Sequence, residues 1–183
     1  MAIKVENHAT IAVKNLEEEV QRVVECVPVE HMRGLSRVVF VDRIEDPRID
    51  AKLAASLPVL YHPRMPGTPS AFGEIALAIL FPPDASALKK LLARAQSRAL
   101  VAQAVLSLAA QHYIVTVSSR KKKGAGVERV AREYIERYFK VWRDRQGGVR
   151  ARLFRPLIPY LERWQKSARK YAAEQARKKA AGS

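Results

Sequence analysis

Cysteine is nearly absent from this sequence of 183 residues, which contains only Cys26. A single cysteine excludes an intrachain disulfide framework and a metal site built from clustered cysteines. Histidine is also sparse, and four histidines spaced far apart argue against a histidine-rich metal centre. The chain lacks both glycine-rich phosphate-binding motifs, G-x-x-x-x-G-K-[ST] and G-x-G-x-x-G. No cofactor is therefore predicted.

The first ten residues, MAIKVENHAT, lack the apolar run of a secretory signal peptide, so we expect a cytoplasmic protein. The apolar share of 48% and the charged share of 28% are those of an ordinary folded domain. The length is that of about one domain. Wholesale disorder is therefore excluded.

Acidic residues are scarce in the last third of the chain. Residues 1–119 carry 13 Lys and Arg against 12 Asp and Glu, whereas residues 120–183 carry 20 against 6. Nearly all of the net charge of +15 therefore lies after residue 119. This asymmetry indicates contact with a polyanion.

The first half of the chain predicts one helix followed by three strands. Residues 15–27, NLEEEVQRVVECV, have the apolar spacing of an amphipathic helix, with Asn15 as the N-cap and Glu18 in the capping-box position. Runs bounded by Gly, Pro or turn residues predict the strands: GLSRVVFVDRI (34–44), LPVLYHP (57–63) and EIALAILFP (74–82).

The least polar stretch, ALVAQAVLSLAAQHYIVTV (99–117), is almost long enough to span a membrane. However, Gln103, Ser107 and Gln111 draw one polar stripe along it, and the basic residues on both sides give no orientation for a span. The strands also need a helix to cover them. We therefore predict a buried central helix and no transmembrane span.

The C-terminal third predicts two more amphipathic helices, at 127–145 and from about 156 to 179. The predicted fold class is α+β, with a small mixed sheet of three to four strands packed by the central helix and further helices. The predicted domain comprises residues 1–148. Residues 149–183 are predicted to append a basic helix and tail.

This order of elements resembles the zincin metallopeptidase fold over about residues 16–145. In that family, a small sheet with an edge strand along the cleft precedes the helix that carries H-E-x-x-H. The resemblance implies that 34–44 and 57–63 are inner strands and that 74–82 is the edge strand. It also implies that 99–117 is the motif helix.

The register that we choose places the motif on residues 107–111, SLAAQ, with His112 directly after it. In zincins, two histidines at i and i+4 bind zinc, and the glutamate between them activates the bound water. Ser107 and Gln111 are poor replacements for imidazole, and Leu108 cannot accept a proton. The resemblance therefore implies a degenerate copy with four vestigial metal-site positions (Ser107, Leu108, Gln111 and His112), no catalytic residue and no metal.

Two groups of basic residues are the predicted polyanion-binding positions, one in the loop after the central helix and one on the last helix. They are Arg120, Lys121, Lys122, Lys123, Arg163, Lys166, Arg169, Lys170, Arg177, Lys178 and Lys179. The partner is expected to be an acidic protein or a nucleic acid. Peripheral membrane contact by the last helix is not expected, because its apolar stripe is narrow and rich in alanine.

These observations favour a non-catalytic, zincin-like binding or interaction module, and they leave two alternatives open. One is a nucleic-acid-binding protein that uses the basic last third, although no RNA- or DNA-binding motif is present. The other is a metal-dependent hydrolase with an unorthodox site. Glu128 and Glu133, which follow His112 along the chain, would be its additional metal ligands.

Overall fold

The computed structural model describes residues 3–65, 70–117 and 125–146. Met1–Trp142 belong to one compact unit, and Arg143–Ser183 are assigned to a second, of which only the end of one helix is described. All of the predicted polyanion-binding residues lie outside the described residues, as does the predicted helix at about 156–179. The boundary predicted after residue 148 also lies there.

The described residues form four strands, which are β1 (Lys4–Asn7), β2 (Leu35–Val41), β3 (Val59–His62) and β4 (Ala71–Ala76). They form one mixed sheet in the order β1-β2-β4-β3. The inner strands β2 and β4 are parallel to each other, and β1 is parallel to β2. The edge strand β3 is antiparallel to β4. The α+β class with a small mixed sheet is thus confirmed.

The described residues also form six α-helices, and the two longest begin and end within two residues of the predicted helices. Nine residues of the apolar helix Ser97–Thr116 are buried, which confirms the buried central helix predicted at 99–117. The helices are α1 (Leu16–Val24), α2 (Ala51–Ser56), α3 (Leu77–Leu80), α4 (Ala87–Ala95), α5 (Ser97–Thr116) and α6 (Ala125–Gln146).

Helix α5 packs on the sheet and helix α1 packs on α5, and residues of both helices form one hydrophobic core with the strands. Within the described segments, α5 is the one helix that is long and apolar enough to cross a membrane. Half of its most apolar stretch is buried inside the protein, as in the core helix of a soluble domain. The length and composition of α5 are therefore only weak evidence for a transmembrane span. The fully buried residues of the core include Val20, Val23, Val38, Phe40, Ile75, Leu106 and Leu108.

The strand predicted at 74–82 differs from the observed one in extent and in place. Strand β4 begins at Ala71 and ends at Ala76, and the chain then turns into α3. It lies between β2 and β3, so the predicted edge strand is an inner strand. Strand β3, predicted as an inner strand, is instead one of the two edge strands, with β1 at the other edge. The order follows from the pairing, because β4 is hydrogen-bonded to β2 in parallel and to β3 in antiparallel orientation, whereas β3 pairs only with β4 in the described sheet.

Two local features also depart from the predictions. Asn15 has a φ of 54° and makes no side-chain capping hydrogen bond to α1. Asparagine tolerates this left-handed conformation, so the residue turns the chain into the helix without capping it. Strand β1 was not predicted, because KVEN carries no apolar alternation and is held by its pairing with β2.

Candidate functional site

Helix α5 approaches β4 most closely where Leu108 packs on Gly73. A Cβ atom at Gly73 would lie 2.7 Å from Leu108 Cγ and still closer to both of its methyl carbons. A glycine is therefore required by the close approach of helix and strand. The position that the zincin register assigns to the catalytic base thus faces the sheet, where a carboxylate would be buried among apolar groups.

The predicted polar stripe of α5 lies on a more exposed side of the helix. Gln103 is exposed, and Ser107 and Gln111 are half-buried, while most of their neighbours on the helix are fully buried. Their spacing of four residues keeps the three side chains on one side. The structure therefore separates the two vestigial ligand positions from Leu108, which points into the core.

His112 is buried, and both of its ring nitrogens have hydrogen-bond partners. Its Nε2 lies 3.1 Å from the carbonyl oxygen of Arg33, and its Nδ1 lies 2.9 Å from the hydroxyl oxygen of Tyr61 on β3. A carbonyl can only accept, so Nε2 carries the proton and Nδ1 accepts from the Tyr61 hydroxyl.

Burial also shifts the pKa values of His112 and Tyr61. Burial lowers the pKa of His112, and the hydrogen bond to the Arg33 carbonyl acts in the opposite direction. Burial also raises the pKa of Tyr61. The imidazole is therefore held neutral, with no nitrogen lone pair left for a metal ion.

The residues present do not fit the zinc ion that zincins with an intact H-E-x-x-H motif bind. A catalytic zinc site needs three protein ligands and one open position. The vestigial positions offer a hydroxyl, an amide, an apolar side chain and an imidazole that is already bonded at both nitrogens. Glu128 and Glu133 are exposed on α6, and Glu133 lies 3.8 Å from Arg129. Over the described ranges, no group of three or more His, Cys, Asp or Glu side chains could hold a metal ion.

A second polar cluster, which was not predicted, lies on the other face of the sheet. Arg48 donates to Asp46 from Nε at 2.9 Å and from Nη2 at 2.6 Å. Nη2 of the same arginine lies 2.9 Å from Nδ1 of His62. Nε2 of His62 lies 3.3 Å from Oε2 of Glu74 on β4. The four side chains form one chain of contacts from the loop after β2 to the edge of the sheet.

Arg48 sets the direction of one contact in this cluster. Arginine can only donate, so Nδ1 of His62 accepts a hydrogen bond from Arg48. Nε2 of His62 lies near Glu74 but makes no hydrogen bond to any described residue. The ring of His62 stacks on Phe72 at 4.3 Å. Hydrogen bonds from Arg48 hold the pKa of Asp46 well below its usual range, and Asp46 in turn raises the pKa of Arg48. The cluster therefore fastens the loop after β2 onto β3 and β4.

Sequence analysis could have pointed to only part of this cluster. His62 ends a predicted strand before a loop rich in Pro and Gly, a place where functional side chains often lie. Nothing in the sequence connects it to Glu74, which the antiparallel pairing of β3 and β4 brings near it, or to Asp46, which lies in the loop after β2.

Comparison with known proteins identifies no similar protein. The chain matches no protein-family model, no curated protein and no solved structure. Any function must therefore be inferred from the residues and contacts of the chain itself.

Proposed function

We propose that this protein is a non-catalytic binding module on a zincin-like scaffold, and that residues 120–183 present a basic surface to an acidic partner. The observation that carries the non-catalytic part is the hydrogen bonding of His112. His112 supplies the one imidazole among the four vestigial positions, and its ring nitrogens are bonded to the Tyr61 hydroxyl and to the Arg33 carbonyl. The His112 side chain joins α5 to the edge strand β3. Ser107, Leu108 and Gln111 supply no second imidazole.

The order of elements around α5 supports the scaffold. In zincins, a sheet with an edge strand precedes the motif helix, and here the antiparallel edge strand β3 precedes α5 and contacts it. Tyr61 of β3 reaches His112 of α5, so the edge strand and helix lie side by side. In this proposal β3 takes the place of the edge strand, rather than the segment 74–82.

The distribution of charge supports an acidic partner. Residues 120–183 carry 20 Lys and Arg against 6 Asp and Glu. Contacts of Lys and Arg with a polyanion gain free energy from counterion release and weaken as the salt concentration rises. The nearly neutral residues 1–119 offer no comparable excess.

Fluorescence anisotropy of the full chain with labelled polyglutamate and with an oligothymidylate of equal charge tests this proposal. The variant replaces all four basic residues of 120–123 with Gln. We expect its affinity for polyglutamate to fall about tenfold, since each contact with a charged group is worth up to ~1 kcal/mol and the four act together.

The matched control removes the same charge from exposed positions in the nearly neutral part, with Gln at Lys14, Arg43, Lys52 and Arg64. We expect the control to bind within about twofold of the natural chain, because these positions lie outside the proposed surface. Equal weakening of both variants would show an effect of net charge alone and would contradict the proposal. An oligothymidylate affinity far above that for polyglutamate would establish the nucleic-acid alternative.

A further inference from the structure

Helix α4 turns its leucines toward solvent. Leu88, Leu91 and Leu92 are 66%, 65% and 51% exposed. Their spacing of three and four residues places all three on one face of the helix. Ala93 is half-buried, and the other described side chains of α4 are exposed. Ala93 lies on a different side of the helix from the three leucines. The helix thus has only a small residue half-buried among its described side chains, and its apolar face has no partner in the part of the chain that the structure describes.

The charge on α4 accompanies this apolar face. The helix, ALKKLLARA, has three basic residues and no acidic residue. Lys90 and Arg94 are exposed and form no ion pair within the described part of the chain. Asp84, one turn before Leu88, is the nearest acidic residue along the chain. An exposed apolar face with basic residues beside it is the pattern of helices that lie in the interface of an anionic membrane.

We propose that α4 is a membrane-binding helix, which inserts Leu88, Leu91 and Leu92 into the interfacial region of an anionic bilayer while Lys90 and Arg94 contact lipid headgroups. The apolar face is short, and nine residues cannot supply the ~800 Å² per partner of a standard protein interface. A second copy of the chain would oppose like charges on the two helices. A bilayer requires neither a complementary groove nor a large contact area.

This inference does not depend on the proposed function, since residues 87–95 include neither a residue of 120–183 nor a vestigial position. The expectation against membrane contact concerned the last helix, whose stripe is narrow and rich in alanine. On α4, the exposed side chains are leucines, which gain more free energy on leaving water.

Co-sedimentation of the full chain with vesicles of phosphatidylcholine, alone or with about 30% phosphatidylserine, tests the proposal at about 0.15 M salt. The variant replaces Leu88, Leu91 and Leu92 with Gln, which retains helix propensity. We expect the natural chain to bind the anionic vesicles at least about tenfold more tightly than the neutral ones. The variant is expected to lose at least about fivefold in partitioning into the anionic vesicles.

The matched control replaces three equally exposed apolar residues elsewhere, Val29, Leu53 and Val115, with Gln. Binding of the control within about twofold of the natural chain is expected, with circular dichroism confirming that both variants are folded. Equal binding by the α4 variant and the natural chain would overturn the proposal, as would failure of the natural chain to bind either vesicle. A dimer in vesicle-free solution that the leucine substitutions abolish would assign the face to a second copy and would also overturn it.

Discussion

The imidazole of His112 lies between one hydroxyl and one carbonyl, and these two bonds determine what the residue can do. Tyr61 donates to Nδ1, and Nε2 donates to the Arg33 carbonyl. The side chain is 1% exposed, so water cannot replace either partner. A buried polar group with full hydrogen bonding stabilises the fold, and the same group with one partner removed destabilises it.

Replacement of Tyr61 with Phe is therefore expected to destabilise the protein by about 1–3 kcal/mol, because Nδ1 of His112 is left buried without a donor. Urea denaturation measures the change in the free energy of unfolding. The control is Tyr113→Phe, whose ring stacks on Tyr134 and whose hydroxyl has no hydrogen bond to any described residue. We expect the control to stay within about 0.5 kcal/mol. Equal losses in the two variants would contradict this role of Tyr61.

The contact between Gly73 and Leu108 gives a second expectation at this scale. Gly73→Ala is expected to cost about 1–3 kcal/mol, because the new methyl group must displace a core leucine. Leu108→Ala alone leaves a cavity and costs about 2–5 kcal/mol. In the double variant the alanine methyl has space, so the Gly73→Ala substitution adds less than about 0.5 kcal/mol. Additive losses in urea denaturation would show that the two residues do not compete for space.

At this scale, the side chains that follow helical periodicity were predictable and those joined by tertiary pairing were not. The stripe of Gln103, Ser107 and Gln111 follows from spacing alone, and the structure places it on the more exposed side. The hydrogen bond between Tyr61 and His112 joins residues 51 positions apart. The contact of His62 with Glu74 depends on strand register, which sequence spacing does not contain.

Helix α6 packs on the core through an aromatic cluster. Tyr134 stacks on Tyr113 of α5 at 5.1 Å, and its hydroxyl lies 3.3 Å from Nδ1 of His31. His31 in turn lies 4.4 Å from the ring of Tyr113. Burial raises the pKa of Tyr134, and the neighbouring Tyr138 and Tyr113 act in the same direction.

This burial predicts a loss of stability in alkali. The folded state keeps the Tyr134 proton to a higher pH than the unfolded chain, whose tyrosines ionise near pH ~10. The stabilisation is therefore complete below about pH 10 and is lost as the pH rises above it. Tyr134→Phe has no proton to lose, so its free energy of unfolding is expected to fall less steeply between about pH 9 and about pH 11.

Urea denaturation across that range compares the two slopes. Some alkaline loss is expected to remain in Tyr134→Phe, because burial also raises the pKa of Tyr61. Identical slopes in the natural chain and the variant would show that Tyr134 ionises equally in both states.

At the scale of elements, the long helices were predictable because periodicity over many residues outweighs local ambiguity. Strand β1, with four residues, and helix α2, with six, carry too little pattern to be recognised. The order of β3 and β4 was wrong, since a sequence does not specify which strand lies at the edge. The apolar composition of β4 agrees with its inner place once the register is known.

At the scale of the whole chain, the described fold and the excess of positive charge lie in different parts of the sequence. The described fold is built mainly from residues 3–117, which are nearly neutral, whereas the excess of positive charge follows residue 119. Charge governs partners and association rates, whereas burial governs the fold. In our proposal, the acidic partner contacts the basic part of the chain, and the described part supplies the scaffold.

The zinc content of the full chain, measured by elemental analysis after equilibration with zinc and dialysis, tests the non-catalytic claim most directly. A variant with Ser107→His and Gln111→His restores the two motif imidazoles on the more exposed side of α5, and it is expected to retain more zinc than the natural chain. For the natural chain the prediction is far less than one zinc ion per chain, because both nitrogens of His112 are bonded. One tightly held zinc ion per natural chain, lost on His112→Gln, would contradict it.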